Sequence, residues 1–143
     1  MPKMKAKTMK VGRRTIKYYS DNFEYFQPNS HICGDCTIRA IAKATNSSWY
    51  TVFDALVPIA RELQMVLNER EVADKYLKSI GFTWVPIKVE RGEKRPTVSE
   101  FAKVHQGTYV ISVASHLTSC KDGKFYDIWD CGAKSMYGYW VKK

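Results

Sequence analysis

The chain has 143 residues, 45% of them hydrophobic and 13% aromatic, and a formal net charge of +9. This suits one folded domain with a real core and excludes a disordered or low-complexity protein. No apolar run approaches the roughly 18 residues of a membrane span, so no membrane partner is expected.

The first segment is strongly basic. Lys3, Lys5, Lys7, Lys10, Arg13, Arg14 and Lys17 precede the first acid, Asp21. No apolar stretch follows the positive charges as in a secretory signal, so an intracellular, cytoplasmic setting is expected. Residues 1–17 read as a solvated, poorly ordered tail ahead of one domain over 18–143. The competing reading is an arm that contacts nucleic acid or another acidic partner, although no aromatic pattern for base recognition accompanies the charges.

Residues 17–35 are rich in aromatics and turn formers, and predict an irregular approach with one short strand. A helix is predicted from about Cys36 to Thr45, after Gly34 and Asp35, the latter a favoured N-cap type. Trp49, Val52, Phe53, Leu56 and Ile59 have helical spacing, and Pro58 should kink or end that helix early. A third helix is predicted over about 68–80, closed by Gly81. Thr83 to Val89 reads as a strand. Thr97-Val98-Ser99-Glu100 matches a capping box and opens a short fourth helix reaching about His105.

Beyond Gly107 the pattern becomes β. Thr108 to Ala114 is β-branched and aromatic, Asp122-Gly123 is a hairpin turn, and Phe125 to Trp129 and Tyr137 to Val141 read as strands. Helices first and an antiparallel sheet second define an α+β fold. Trp49, Trp84, Trp129, Trp140, Tyr137 and Tyr139 read as core before they read as a substrate groove.

Four cysteines are present, Cys33, Cys36, Cys120 and Cys131. Inside a cell they are catalytic, metal-binding or buried thiols rather than disulfides. Cys36 stands where the first helix begins, and the unpaired N–H groups and dipole there favour the reactive thiolate. Cys33 lacks a helix directly behind it.

Among the histidines, His31 lies in the irregular approach and His105 suits the C-terminal end of a helix. His116 falls within the expected strand from Tyr109 to Cys120. If Asp122-Gly123 is a two-residue turn, Lys121 pairs with Lys124, Thr118 faces Asp127, and His116 faces Trp129. Asp127 is then a diagonal neighbour of His116 on the same side, within reach of a carboxylate-to-imidazole bond. A three-residue loop would reverse the parity and favour Asp130. Cys33-x2-Cys36 with Cys120 and Cys131 would be the ligand set of a zinc module, but the second pair is too open for a knuckle.

The order Cys, His, Asp, with the cysteine opening a helix and the others on later strands, resembles the papain-like peptidase superfamily. G-D-C-T-I-R-A-I-A at 34–42 resembles the nucleophile helix of its small microbial and phage members. It is also similar to the D-x-x-C-x-x-R-A pattern of ovarian-tumour-type deubiquitinases. S-H-L-T-S-C-K-D-G-K-F-Y-D-I-W-D at 115–130 resembles the His and Asp hairpin of bacteriocin-leader peptidases. Asp127-Ile128-Trp129 occupies the place of papain's Asn-Ser-Trp stretch.

The resemblance implies a papain-like fold and a thiol hydrolase of peptide or isopeptide bonds, in the cytoplasm of a bacterium or a phage-infected cell. Cys36 would be the nucleophile, His116 its base and Asp127 the orienting group, with no cofactor or metal. The family's oxyanion glutamine would fall near Ser30, with Asn29 or Gln27 as donor and Asn29 the first choice. The same geometry also serves acyl transferases and amidases.

Overall fold

Helix α1 (Cys36–Thr45) begins as expected, where the turn Cys33-Gly34-Asp35 ends, in a computed structural model that describes residues 5–142. Asp35 is its N-cap residue, yet the carboxylate caps none of the helix's own N–H groups and serves Arg39 and Trp49 instead. Helix α2 (Trp49–Leu63) is capped by the Ser48 hydroxyl, which accepts from the Thr51 N–H. It continues past Pro58, so of the kink or early end expected there the early end does not occur. Pro58 and Asp54, whose carbonyl loses its N–H partner, are both exposed, so water can take the missing bond. Helix α3 (Arg70–Ser79) buries Val72, Ala73 and Leu77, and α4 (Val98–Val104) carries the complete Thr97–Glu100 capping box.

The strands are β1 (Lys7–Val11), β2 (Arg14–Tyr18), β3 (Phe23–Tyr25), β4 (Phe82–Pro86), β5 (Thr108–Val113), β6 (His116–Lys121), β7 (Lys124–Asp127) and β8 (Gly138–Lys142). Six of them form one sheet in the order β3-β7-β6-β5-β8-β4. The fold class is α+β. The sheet is mixed rather than wholly antiparallel, because β3 pairs in parallel with β7. The long helical segment between those two strands supplies the crossover that a parallel pair needs.

Two further expectations are corrected. The strand expected from Tyr109 to Cys120 is a hairpin, turned at Ala114-Ser115 with Ser115 at φ 53°, so His116 opens β6 opposite Val113. The basic segment is no loose tail: β1 and β2 pair along their whole length, while the first four residues, Lys3 among them, lie outside the described ones. Alternation explains the ribbon. Met9, Ile16 and Tyr18 pack on the core, whereas Lys10 and Lys17 stay exposed.

Residues alternate across the sheet to build two cores. Helices α1 to α3 cover Val110, Leu117 and Trp140 with Ile38, Ile41, Val52, Leu56, Val72 and Leu77. Phe101 of α4, with Phe23, Phe125 and Met136, forms the second core around Ile111 and Val113. Each fully buried large apolar side chain contributes about 1.5–3 kcal/mol. Among the described residues, no helix is long and apolar enough to cross a membrane.

Candidate active site

Three side chains meet where α1 begins, β6 begins and β7 ends. The Asp122-Gly123 turn has φ values of 49° and 94°, both left-handed, as a two-residue hairpin turn requires. Lys121 therefore pairs with Lys124, and the register carries Asp127 to the level of Thr118. From there the Asp127 Oδ2 lies 2.6 Å from the His116 Nε2. The Trp129 ring packs 5.0 Å from the imidazole. Cys36 supplies the third group from the first turn of α1, lining the same cleft as His116 and close enough for each to shift the other's ionisation. With Nε2 taken by Asp127, Nδ1 is the nitrogen left to exchange a proton with the sulfur.

The charges sort themselves into an ion pair. Burial pushes the Cys36 thiol up, but the His116 hydrogen bond, the Leu117 backbone hydrogen bond and the charges of His116 and Arg39 outweigh it, leaving the thiol below its ordinary range. Burial also works against a charged His116. The hydrogen bonds to Asp127, Cys131 and Cys36 prevail and raise the imidazole to about 11. Asp127 is only 2% exposed, and burial alone would raise its carboxyl; the His116 bond and charge and the Ile128 N–H hold it below the usual carboxylate range. The shifts thus all act in one direction, toward thiolate, imidazolium and carboxylate in sequence.

A second chain of buried charge lies behind this one. The Trp49 Nε1 donates to the Asp35 Oδ2 at 2.8 Å, and Arg39 donates both to Asp35 and to the Asp127 Oδ1, the latter at 3.3 Å. Arg39 thereby ties the N-cap of the cysteine helix to the carboxylate that holds the imidazole. The sequence signal was available, since Asp35 and Arg39 are an i,i+4 pair flanking Cys36 on one helix.

Cys36 and His116 open into a cleft of about 340 Å³, which Asn68, Arg70, Ser115 and Tyr137 help to line. The two expected oxyanion donors are not among its lining residues. Gln27 accepts from the Tyr25 hydroxyl at 2.6 Å, and the Asn29 amide donates to the His31 carbonyl at 2.6 Å. Asn68 stands at the cleft in their stead, its amide held only by a 3.4 Å bond to the Gly34 carbonyl. Nothing in the sequence marks Asn68, because it reaches the site from the turn before α3, far along the chain from Cys36. Tyr137 also lines the cleft rather than the core, half exposed, whereas Trp140 is core as expected.

The other candidates fall elsewhere. Asp130 accepts from the backbone N–H groups of Tyr19, Ser20 and Gly132, and so fastens the end of the ribbon. His105 caps α4, its Nδ1 2.7 Å from the Phe101 carbonyl. Cys33 is exposed, and its thiol is raised by desolvation and by the Asp35 carboxylate, the reverse of Cys36. Cys120 is buried and pushed up to about 12 by that burial and by Asp122.

Among the described residues, the His/Cys/Asp/Glu cluster with ligand atoms within 4.8 Å of one another is His116, Asp127 and Cys131, not the four cysteines. These three donors would suit a soft divalent ion such as zinc. A metal there would displace the 2.6 Å bond between His116 and Asp127 and sit beside the Arg39 cation, which opposes it. No family model, no curated protein and no solved structure matches the chain.

Proposed function

We propose that this chain is a papain-like thiol hydrolase that cleaves a peptide or isopeptide bond through Cys36, His116 and Asp127. The observation that carries this reading is the placement of His116 between the Asp127 carboxylate, at 2.6 Å, and a Cys36 thiol lowered below its ordinary range, at a solvent-open cleft.

The Cys36 thiolate adds to the substrate carbonyl carbon, and the carbonyl electrons move to oxygen. The Cys36 backbone N–H, in the first helical turn, and the Asn68 amide at the cleft would hold that oxyanion. As the intermediate collapses, the imidazolium gives its proton to the departing amine and a thioester remains on Cys36. His116, now neutral, takes a proton from water, the hydroxide attacks the thioester, and the acid leaves with the thiolate restored. Asp127 keeps the ring oriented and its positive charge stabilised throughout. No step calls for a cofactor. Acyl transfer to an amine in place of water would use the same groups.

A thiol-directed acyl-electrophile probe at neutral pH tests this. It is expected to modify Cys36 selectively, with the adduct mapped by mass spectrometry and lost in Cys36→Ala. Equal, slow labelling of all four cysteines would contradict the reading.

The ribbon carries a second, separate reading. Lys10 and Lys17 on its outer face, with Arg13 in its turn, are exposed cations with no acidic partner among the described residues, and they fit an acidic partner such as nucleic acid. Lys10→Glu with Lys17→Glu is expected to lower affinity for a duplex about tenfold or more and to flatten its salt dependence. Salt-insensitive binding that the variant retains would remove this reading. Four unpaired cysteines suit a reducing compartment, and the proposed location is the cytoplasm of a bacterium or a phage-infected cell.

A further inference from the structure

We propose that Arg70 makes the cleft selective for a substrate bearing a carboxylate close to the scissile carbonyl, an inference that rests on the hydrolase reading of the same cleft. Arg70 opens α3 and reaches the cleft that holds Cys36 and His116.

Its guanidinium is fixed on three sides without any substrate. The Nε donates to the Asp74 Oδ1 at 2.9 Å, the Nη1 donates to the buried Ser112 hydroxyl at 2.7 Å, and the plane lies 4.8 Å from the Trp84 ring centre. The Nη2 has no hydrogen-bond partner among the described residues, and the side chain is 41% exposed. A long cation held in this way has lost most of its rotamer freedom before binding, so a ligand bond to the free edge costs little further ordering.

The surrounding charges point the same way. Among the described residues, no carboxylate lines the cleft. Asp127 sits behind the imidazole, and Asp74 is already engaged by Arg70. A neutral or cationic group beside the scissile bond would leave the free guanidinium edge unused or repelled. Asp74 offsets part of the arginine charge, which suits a singly charged carboxylate better than a doubly charged phosphate. The carboxylate could belong to an acidic side chain or to a free chain terminus, and the two share the same recognition chemistry.

Four bromoacetyl probes separate these cases on the full-length protein. N-bromoacetyl-glutamic acid α-amide carries a side-chain carboxylate and N-bromoacetyl-glycine a terminal one; bromoacetyl-glutamine amide and bromoacetyl-glycine amide are their neutral partners. Each alkylates a thiolate with loss of bromide, and the Cys36 adduct is quantified by mass spectrometry. At least one acidic probe is expected to react with Cys36 about tenfold faster than its neutral partner at low salt. The pair showing the larger ratio identifies the source of the carboxylate. His116 attracts anions in every variant, so Arg70→Gln isolates the arginine, and there the ratio is expected to drop several-fold. Arg70→Lys, which keeps the charge but loses the fork, is expected to fall between. If Arg70→Gln does not fold, the wild-type ratio measured against salt stands in, and it should collapse as the screening length shrinks below about 8 Å. Neutral probes reacting as fast as acidic ones, an unchanged ratio in folded Arg70→Gln, or, where that variant does not fold, a salt-independent wild-type ratio would overturn the proposal. Fast labelling of Cys36 without acid preference defeats this inference alone, whereas a Cys36 no more reactive than the other thiols defeats the hydrolase reading and this inference together.

Discussion

Replacing His116 with alanine is expected to slow the reaction of Cys36 with an acyl-electrophile probe by about 10²-fold or more near neutral pH. Two losses combine. The thiol loses the hydrogen bond and the charge that offset its burial, so its ionisation moves back up toward the ordinary cysteine range. The proton donor for the departing group is removed at the same time. Because burial of Cys36 remains, the variant thiol should titrate at or above an exposed cysteine, and raising the pH should recover much of the labelling rate but not hydrolytic turnover. Asp127→Asn tests the partner contribution. Its amide can keep a hydrogen bond to the ring but cannot stabilise the imidazolium, so the imidazole should titrate well below its wild-type value of about 11. Labelling of Cys36 that is indifferent to both substitutions would remove His116 from the chemistry.

The second large effect is expected at Arg39, which is 5% exposed and lies between Asp35 at 4% and Asp127 at 2%. Arg39→Leu leaves two carboxylates buried without their common cation, and a loss of about 3–5 kcal/mol of stability is expected. Leucine is chosen over alanine so that the volume is largely kept and the loss reports on charge. The pH dependence gives the sign. Asp127 has a depressed folded-state carboxyl, so its stabilising contribution is present above the unfolded value of about 3.9 and lost as pH falls through the folded one. Without Arg39 that carboxyl protonates more readily, so the gap between wild type and variant should narrow as the solution is acidified. Urea midpoints at neutral and acid pH measure both. An unchanged midpoint, or a gap that persists undiminished in acid, would show that the guanidinium does not support these carboxylates.

How far the sequence spoke depends on whether the relevant partners are near one another in it. The hairpin geometry was legible, because a two-residue Asp-Gly turn fixes parity, and parity alone puts Asp127 rather than Asp130 beside His116. The cysteine helix was legible for the same local reason: a turn former, an N-cap residue type and then a helical run. Pro58 misled, since a proline whose freed carbonyl faces water costs less than one in a buried helix. The break at Ala114-Ser115 was hidden because Val113 and His116 sit in an almost unbroken β-forming stretch, and the turn relies on a non-glycine residue at positive φ. The resemblance puts the oxyanion donor at Asn29 or Gln27, whereas the cleft wall is built by Asn68, in the turn before α3, and by Arg70 at the start of that helix. The ribbon was obscured by its charge: few inward apolar residues, Met9, Ile16 and Tyr18 among them, mark it as folded.

The central claim is an ionised Cys36 held against a protonated His116, and titration of the thiolate ultraviolet absorbance tests it most directly. The difference between wild type and Cys36→Ala isolates one sulfur. Its ionisation is expected below the ordinary cysteine range of about 8.5, and His116→Ala should abolish that displacement. A Cys36 that ionises at or above the ordinary range in the wild-type protein, unaffected by the loss of His116, would contradict the account.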